Sequence, residues 1–384
     1  MLTSRQHRLA IVGDLHFETD QEPLLLRAQK HLIDLQPEII VSLGDQGGYS
    51  HCGTRLSFEE GRDYFSGFGV PFYPLIGNHD MESREFKTDK EAVAAWCEVF
   101  ERQRPYTIFD LGTAVGITLS QTSFRQNEGS HQEVHIDEVQ LDWFAETLAA
   151  NRDRPIFVFS HAPILGSGIR ILQDLHLKGP NAFLNHYTQP ERFMKLIAAN
   201  PQVKLWVSGH IHVGHHYNDT INQVGRCTFV HGGVIGNHTR DGDRHTRFLT
   251  YDTAGFDIHT VDHQTGQTIA DYTVEYATNQ TIRQRAFASH KMDRFFPPPP
   301  FPNSNNRLTH GRSIFTIHRN MLLEYDRELG APLGVVNDFV AEDAQLDIED
   351  DALIIRSPNG KKTRQEPNEH GRYLRVYAPN PWHK

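Results

Sequence analysis

Five short apolar runs between Arg8 and Ser208 each stop at residues able to hold a metal ion. "RLAIVGDLH" stops at Asp14 and His16, "EIIVSLGD" at Asp45, and "FYPLIGNHD" at Asn78, His79 and Asp80. "PIFVFSH" stops at His161, and "VKLWVSGHIH" at His210 and His212. Such runs, apolar on both faces and bounded by Gly, Pro or polar residues, read as strands of a covered sheet. "VGITLS" is a further run of the same kind. Helix patterns lie between them. "TDKEAVAAWCEVF" opens with Thr88 and Glu91 at capping-box spacing, as does "DEVQLDWFAETLAA" with Asp137 and Gln140. In the second helix Leu141, Phe144 and Leu148 share one face. Alternating strands and helices imply a layered α/β core. In open α/β sheets the carboxyl ends of the strands border one crevice. Seven candidate ligands, Asp14, His16, Asp45, Asn78, His161, His210 and His212, are therefore expected on one rim. Each motif alone is an ordinary polar turn. Five in order, all at strand ends, point to a metal site.

From about Cys227 the rhythm changes to a β-meander, with turns expected at Thr253–Gly255 and Gln264–Gly266. "FFPPPPFP" (Phe295–Pro302) fits neither helix nor central strand and reads as a stiff connector. "SIFTIH", "MLLEYD", "ALIIRS" and "RYLRVYA" then suggest a small β module. The expected division is a catalytic domain over 1–275, a proline-rich connector over 276–302 and a β-rich accessory module over 303–384.

Composition narrows the function. A net charge of −10 disfavours nucleic acid and anionic membranes as partners. Three scattered cysteines, Cys52, Cys97 and Cys227, do not make a disulfide framework or a thiolate zinc site. No apolar stretch reaches the ~18 residues of a membrane span, and the opening residues lack a signal-peptide core. A cytoplasmic enzyme is the expectation. The sequence carries no signature of its oligomeric state.

Seven ligands exceed one tetrahedral ion and suit two divalent ions sharing a carboxylate. Oxygen and nitrogen donors without thiolate favour Mn, Fe or Zn. Such a pair lowers the pKa of a bridging water to near neutrality and clamps both oxygens of an in-line displacement. A protonated imidazole nearby then serves the departing alkoxide.

The ordered set Asp14-x-His16, Gly44-Asp45, Gly77-Asn78-His79-Asp80, His161 and Gly209-His210-x-His212 resembles the calcineurin-like metallophosphoesterase superfamily, over roughly Arg8 to Ala270. The resemblance implies a four-layer αββα sandwich, here followed by the C-terminal β accessory module. It implies that Asp14, His16, Asp45 and His212 hold one metal. Asp45 bridges to a second, held also by Asn78, His161 and His210. His79 is the non-ligand histidine beside the leaving group, and Asp80 either orients it or simply starts a helix. Gly48 stands where purple acid phosphatases carry a tyrosine ligand, and Tyr49 comes one place late, which opposes a tyrosinate–Fe(III) site. The chain also lacks the Asp-Arg-Gly and terminal Glu of Ser/Thr protein phosphatases. "FEEGRDYFSGFGVPFYPLIGNHD" is instead similar to class III cyclic-nucleotide phosphodiesterases. The loop "GGYSHCGTRLS" departs from that pattern, so no substrate contact carries over to it.

The expected activity is attack of a metal-bridging hydroxide on a small phosphodiester, a cyclic nucleotide or a glycerophosphodiester. The alternatives are a phosphomonoesterase or nucleotide pyrophosphatase on the same core and, behind them, a non-catalytic scaffold. The acidic balance opposes a DNA-repair exonuclease. A diester monoanion matches a site left with about +1 by two dications, Asp14, Asp45 and a hydroxide. A monoester dianion calls for an arginine; none of the five motifs carries a basic residue, and the candidates further off, Arg84, Arg170 and Lys178, read as surface charges. Gly166–Phe193 is expected to cap the site, with Asn181, Asn185 and His186 read as loop polarity. His215 and His216 are expected to be solvated, and His231 to be either a core histidine or a partner of a ligand.

Overall fold

Two sheets lie face to face in the computed structural model, which describes residues 5–124, 134–169, 184, 192–285, 307–318, 320–327, 332–337, 339–368 and 371–373. β1 (His7–Val12), β2 (Ile39–Ser42) and β3 (Phe72–Tyr73) run parallel, linked through α1 (Glu22–Ile33) and α2 (Arg55–Ser66). After α3 (Asp89–Val99) come the antiparallel β4 (Thr107–Leu111) and β5 (Ala114–Leu119). Then follow α4 (Glu138–Ala150), β6 (Ile156–Ser160), α5 (Arg192–Ala199) and β7 (Val203–Ser208). β8 (Ile221–Val224), β9 (Cys227–His231) and β10 (Gly233–Val234) lead to a run of longer strands. That run is β11 (His245–Tyr251), β12 (Gly255–Asp262), β13 (Thr268–Glu275) and β14 (Gln280–Arg283). The first sheet has the order β14-β13-β12-β11-β1-β2-β3, with β10 on β11, and the second β4-β5-β6-β7-β9-β8.

Alternation along the strands builds the layers, because successive side chains point to opposite faces. Leu9 and Ile11 of β1 pack with Phe157 and Phe159 of β6 between the sheets. Ala10 and Val12 pack outward against Leu25, Ala28 and Leu32 of α1. Ile156 and Val158 face the other way, onto Phe144 of α4 and Phe193 of α5. The result is the αββα sandwich. The expected caps are formed: Thr88 accepts the Glu91 N–H at 3.2 Å, and Asp137 that of Gln140 at 2.8 Å.

Two local expectations are corrected. "FYPLI" is a strand only at Phe72–Tyr73, since Pro74 has no N–H to continue the ladder. The Cys227 segment is not part of the meander: β9 pairs parallel to β7 in the second sheet, and the meander starts at β11. A single chain run thus feeds both sheets.

Beyond residue 307 lie β15 (Arg307–His310), β16 (Ser313–His318), β17 (Met321–Asp326) and β18 (Pro332–Asn337), which form one sheet. β19 (Gln345–Glu349), β20 (Ala352–Arg356) and β21 (Lys362–Gln365) form another. Phe315, Ile317 and Leu322 pack on Leu353 and Ile355 between these two. Ile314, Leu323 and Tyr325, on the opposite face, join the core outside the second main sheet. The module is therefore docked on the α4–α5 side. "FFPPPPFP" and most of "RYLRVYA" lie outside the described residues. Among the described residues no helix is long and apolar enough to cross a membrane.

Candidate metal centre

The carboxyl ends of β1, β2, β3, β6 and β7 meet at one rim, and the side chains that follow them converge. Asp14, His16, Asp45 and His212 are fully or almost fully buried and offer ligand atoms within 4.8 Å of one another. His16 Nε2 lies 3.2 Å from His212 Nε2, which lies 3.1 Å from Asp14 Oδ1. On the other side of Asp45, His161 Nε2 lies 3.3 Å from Asp45 Oδ2, 2.8 Å from Asn78 Oδ1 and 3.1 Å from His210 Nδ1. All seven expected ligands are thus in one cluster, with Asp45 between the two groups.

The backbone is bent to achieve this. Asp14, His16, Asp45, His210 and His212 take φ values of 46°, 41°, 52°, 72° and 54°, in the left-handed region. Each such residue costs ~1–3 kcal/mol unless its surroundings fix it, and strain of this kind gathers at functional sites. Glycines make room alongside. A Cβ on Gly77 would sit 2.1 Å from Asp45 Oδ1, and one on Gly209 2.5 Å from Asp14 Oδ2. Only glycine fits at either place.

Hydrogen bonding fixes which atoms face inward. His16 Nδ1 donates to Gly47 O (3.1 Å), His161 Nδ1 to Leu43 O (2.8 Å) and His212 Nδ1 to His238 O (2.8 Å). A neutral imidazole that donates from Nδ1 has a bare lone pair on Nε2. Three such lone pairs face each other and carboxylate or amide oxygens, a mutually repulsive set unless a cation stands among them. Asp45 Oδ2 and Asn78 Nδ2 are buried without any hydrogen-bond partner. The donor set therefore fits divalent metal. Burial, then the like charge of neighbouring histidines, pushes the His16 pKa well down; burial lowers that of His161 too. Both favour the neutral, metal-binding form. Burial raises Asp45 to about 7; the charge of His79 opposes the shift and that of Asp14 adds to it. Burial also opposes ionisation of Asp14, but the imidazoles around it, His212 first, hold it below the usual range.

His79 and Asp80 occupy a single 3-10 turn after Asn78. The orienting contact expected from Asp80 comes instead from Glu82, whose Oε2 accepts from His79 Nδ1 at 2.9 Å. Asp80 is turned inward. Its carboxylate accepts the N–H groups of Asp45 (2.9 Å), Gln46 (2.8 Å) and Gly77 (2.8 Å) and ties two ligand-bearing loops together. Burial works against the imidazolium of His79, but Asp45, Cys52 and Glu82 together hold its pKa well above the usual value.

Beside Tyr49, noted in the sequence only as one place late for a ligand, Glu18 and Arg240 are neighbours that the sequence did not reveal. Tyr49 stacks on His16 at 4.7 Å and stands edge-on to His79 and His238. Burial raises its pKa. Glu18 accepts the Ser50 N–H (3.1 Å) and hydroxyl (2.8 Å), holding that loop against the centre. Arg240 donates its backbone N–H to His212 O (2.9 Å) and Nε to Ile211 O (3.1 Å), within electrostatic reach of Tyr49 and Asp14.

His215 was expected in solvent but is buried, because the chain after His212 turns beneath the meander: its Nδ1 meets Thr260 Oγ1 at 3.1 Å. His216 does reach solvent, 3.3 Å from Asp243. His231 is buried and its Nε2 donates to Val213 O (3.1 Å) in the loop that carries His212, so it supports a ligand loop. Arg84 lines a cavity next to His79. Arg170, Lys178, Asn181, Asn185 and His186 lie outside the described residues.

A sandwich of two sheets with carboxylates, an amide and neutral imidazoles gathered at its strand ends defines a metal-dependent hydrolase. The chain belongs to the calcineurin-like phosphoesterase family, whose model matches residues 7–214. A probable cyclic nucleotide phosphodiesterase from Synechococcus sp. is 24% identical over 214 residues, 53% of this chain and 72% of that protein. Among solved structures, a dimetal phosphatase from Danio rerio matches with a TM-score of 0.50 at 11% identity, over 70% of this chain and 99% of that one. The purple acid phosphatase PPD1 of yellow lupin matches with a TM-score of 0.48 at 16% identity, over 74% and 57%.

Proposed function

We propose that this hydrolase cleaves small phosphodiesters, cyclic nucleotides foremost, with two divalent ions of Mn, Fe or Zn. The observation that carries the reading is the facing of proton-free donor atoms on both sides of Asp45, with a glutamate-held imidazole beside them. Asp14, His16, Asp45 and His212 would hold one ion; Asp45, Asn78, His161 and His210 the other. When bound, the ions supply Lewis-acid charge and a water of lowered pKa. The chain's own residues do the rest. His16, His161 and His212 are aimed by the carbonyls they donate to, and burial favours the neutral form of His16 and His161. Glu82 fixes the His79 ring through Nδ1, leaving Nε2 to deliver a proton to the departing oxygen. Asp80 acts as a positioning residue for both loops.

The description of the Synechococcus relative supports a cyclic diester. One observation favours the second reading, a phosphomonoesterase or nucleotide pyrophosphatase: Arg240 stands near Asp14 and would meet an extra phosphate charge. The three cysteines without disulfides suit a cytoplasmic setting. Of the expected division into 1–275, 276–302 and 303–384, the first boundary moves past β14 (Gln280–Arg283), which pairs with β13 in the first sheet, and the last part is proposed as a docked accessory module. The test is metal analysis of purified protein joined to a metal-by-substrate screen with cyclic nucleotides, bis-p-nitrophenyl phosphate and p-nitrophenyl phosphate. Two bound ions and diesterase activity are expected; a metal-free protein, or one inert on every phosphoester, overturns the reading.

A further inference from the structure

Cys52, His79 and Glu82 form a second cluster of ligand atoms, all partly buried and within 4.8 Å of one another. Cys52, too isolated in the sequence to suggest a thiolate site, gains both partners from the fold. Glu82 Oε2 stands in the middle, 2.9 Å from His79 Nδ1 and 3.3 Å from Cys52 Sγ. His79 and Glu82 come from the turn after Asn78, and Cys52 from the loop before α2. That loop is pressed onto the turn at Gly53, where a Cβ would sit 2.9 Å from both His79 O and Ser83 N. Backbone packing therefore sets the spacing of the three ligands. Zn–S of ~2.3 Å, with Zn–N and Zn–O of ~2.0–2.1 Å, puts tetrahedral ligand atoms roughly 3.3–3.6 Å apart. Cys52 and Glu82 are already at that separation, and His79 has only a few tenths of an ångström to yield. The set is softer than the oxygen and nitrogen donors around Asp45, and a thiolate selects zinc over manganese. All three residues line a cavity of about 520 Å³, which gives an ion its entry and leaves the fourth position to water.

We propose that Cys52, His79 and Glu82 form an inhibitory zinc site, separate from the two-metal centre, that takes His79 out of proton transfer. Occupancy of the site does not depend on the phosphodiesterase reading; its effect on turnover rests on His79 as the proton donor in that reading. On binding, Zn2+ replaces two protons, the one on Cys52 Sγ and the one that His79 Nδ1 donates to Glu82. Both go to solvent, so the charge of the cluster is unchanged, and the thiol binds as thiolate. His79 keeps a proton on Nε2, while zinc holds the lone pair of Nδ1. Giving up that last proton would leave an imidazolate instead of a neutral imidazole, so the departing oxygen goes unprotonated.

The test is titration of the purified, manganese-loaded protein with Co2+, followed by zinc. Thiolate bound to Co2+ gives a near-ultraviolet charge-transfer band that a centre of oxygen and nitrogen donors does not. The band is expected to appear on Co2+ addition, to be bleached by zinc and to be absent from Cys52→Ser. In Glu82→Gln it should shift to higher Co2+ concentration. In kinetics, zinc should slow hydrolysis of a cyclic nucleotide, with its alkoxide leaving group, about tenfold more than that of bis-p-nitrophenyl phosphate. That difference should vanish in Cys52→Ser, each protein being compared with itself without zinc. No band in the unmodified protein, or a band that survives Cys52→Ser, overturns the site. Equal slowing of both substrates overturns the inhibition through His79. A protein that shows the band yet hydrolyses no phosphoester keeps the site and loses the phosphodiesterase reading.

Discussion

Glu82 Oε2 lies 2.9 Å from His79 Nδ1, and the thiol of Cys52 donates to the same oxygen at 3.3 Å. The carboxylate fixes the tautomer and plane of the ring, so the proton available to a leaving group sits on Nε2.

His79→Ala should keep both metals and slow hydrolysis, by the ~10²–10⁴-fold that general acids contribute. The loss should be largest for alkoxide leaving groups and smallest for p-nitrophenolate, which needs little protonation. Glu82→Gln should follow the same leaving-group dependence with a smaller loss. A series of diesters with graded leaving-group pKa checks both: an equal loss across the series would remove His79 as donor.

Asp45→Asn should lower occupancy at both metal positions, since this carboxylate lies between the two clusters and has a buried, unpartnered Oδ2. His16→Ala should lower mainly one. Metal analysis by mass spectrometry reads the two cases directly. An Asp45→Asn protein with two ions and full turnover would remove the bridging role.

How much of this was legible in the sequence varies with the range of the interaction. The strands were readable because Leu9, Ala10, Ile11 and Val12 are each covered on their own face, giving an unbroken apolar run. The cluster at the strand ends was readable because chain direction alone brings Asp14, Asp45 and His161 to one rim. Asp, Asn and His also tolerate the left-handed backbone that those turns need. Glu82 was within reach, three places after His79, but a one-turn 3-10 segment leaves too little periodicity to signal it. Arg240 gave no signal, for its tie to Ile211 and His212 is made by a distant loop. His215 looked solvated in "HVGHH" because burial there depends on β12, where Thr260 lies. The parallel pairing of β9 with β7 was hidden in the same way.

Diesters should be preferred over monoesters, although Arg240 tempers the charge argument. Its Nε is taken by Ile211 O and the residue is exposed, so solvent screens its help to a second negative charge. Arg240→Ala should lower kcat/KM for p-nitrophenyl phosphate by about tenfold, the scale of a charged hydrogen bond, and that for bis-p-nitrophenyl phosphate by less. Kinetics of both substrates at one pH and one metal check this. A monoester advantage in the unmodified protein would make Arg240 part of the primary phosphate site and favour the second reading of function.

The fold should lose stability in mild acid because it keeps histidines neutral inside it. His263 is buried, with Nε2 2.9 Å from Thr246 Oγ1, and burial, with the charge of His31 next, lowers its pKa to about 3. Unfolded, it titrates near 6.5. Between these values the unfolded chain binds a proton that the folded one does not, so stability rises with pH and falls as pH drops below about 6.5. At pH 5 the loss from this group is about 2 kcal/mol, from one and a half pH units at roughly 1.4 kcal/mol each. His263→Asn, which leaves an amide beside Thr246 and removes the titration, should cut the acid loss by about that amount whatever it does to stability at pH 8. Urea unfolding of both proteins at pH 8 and pH 5 measures it as a difference of differences. Parallel losses in the two proteins would mean that His263 does not take part in the acid response.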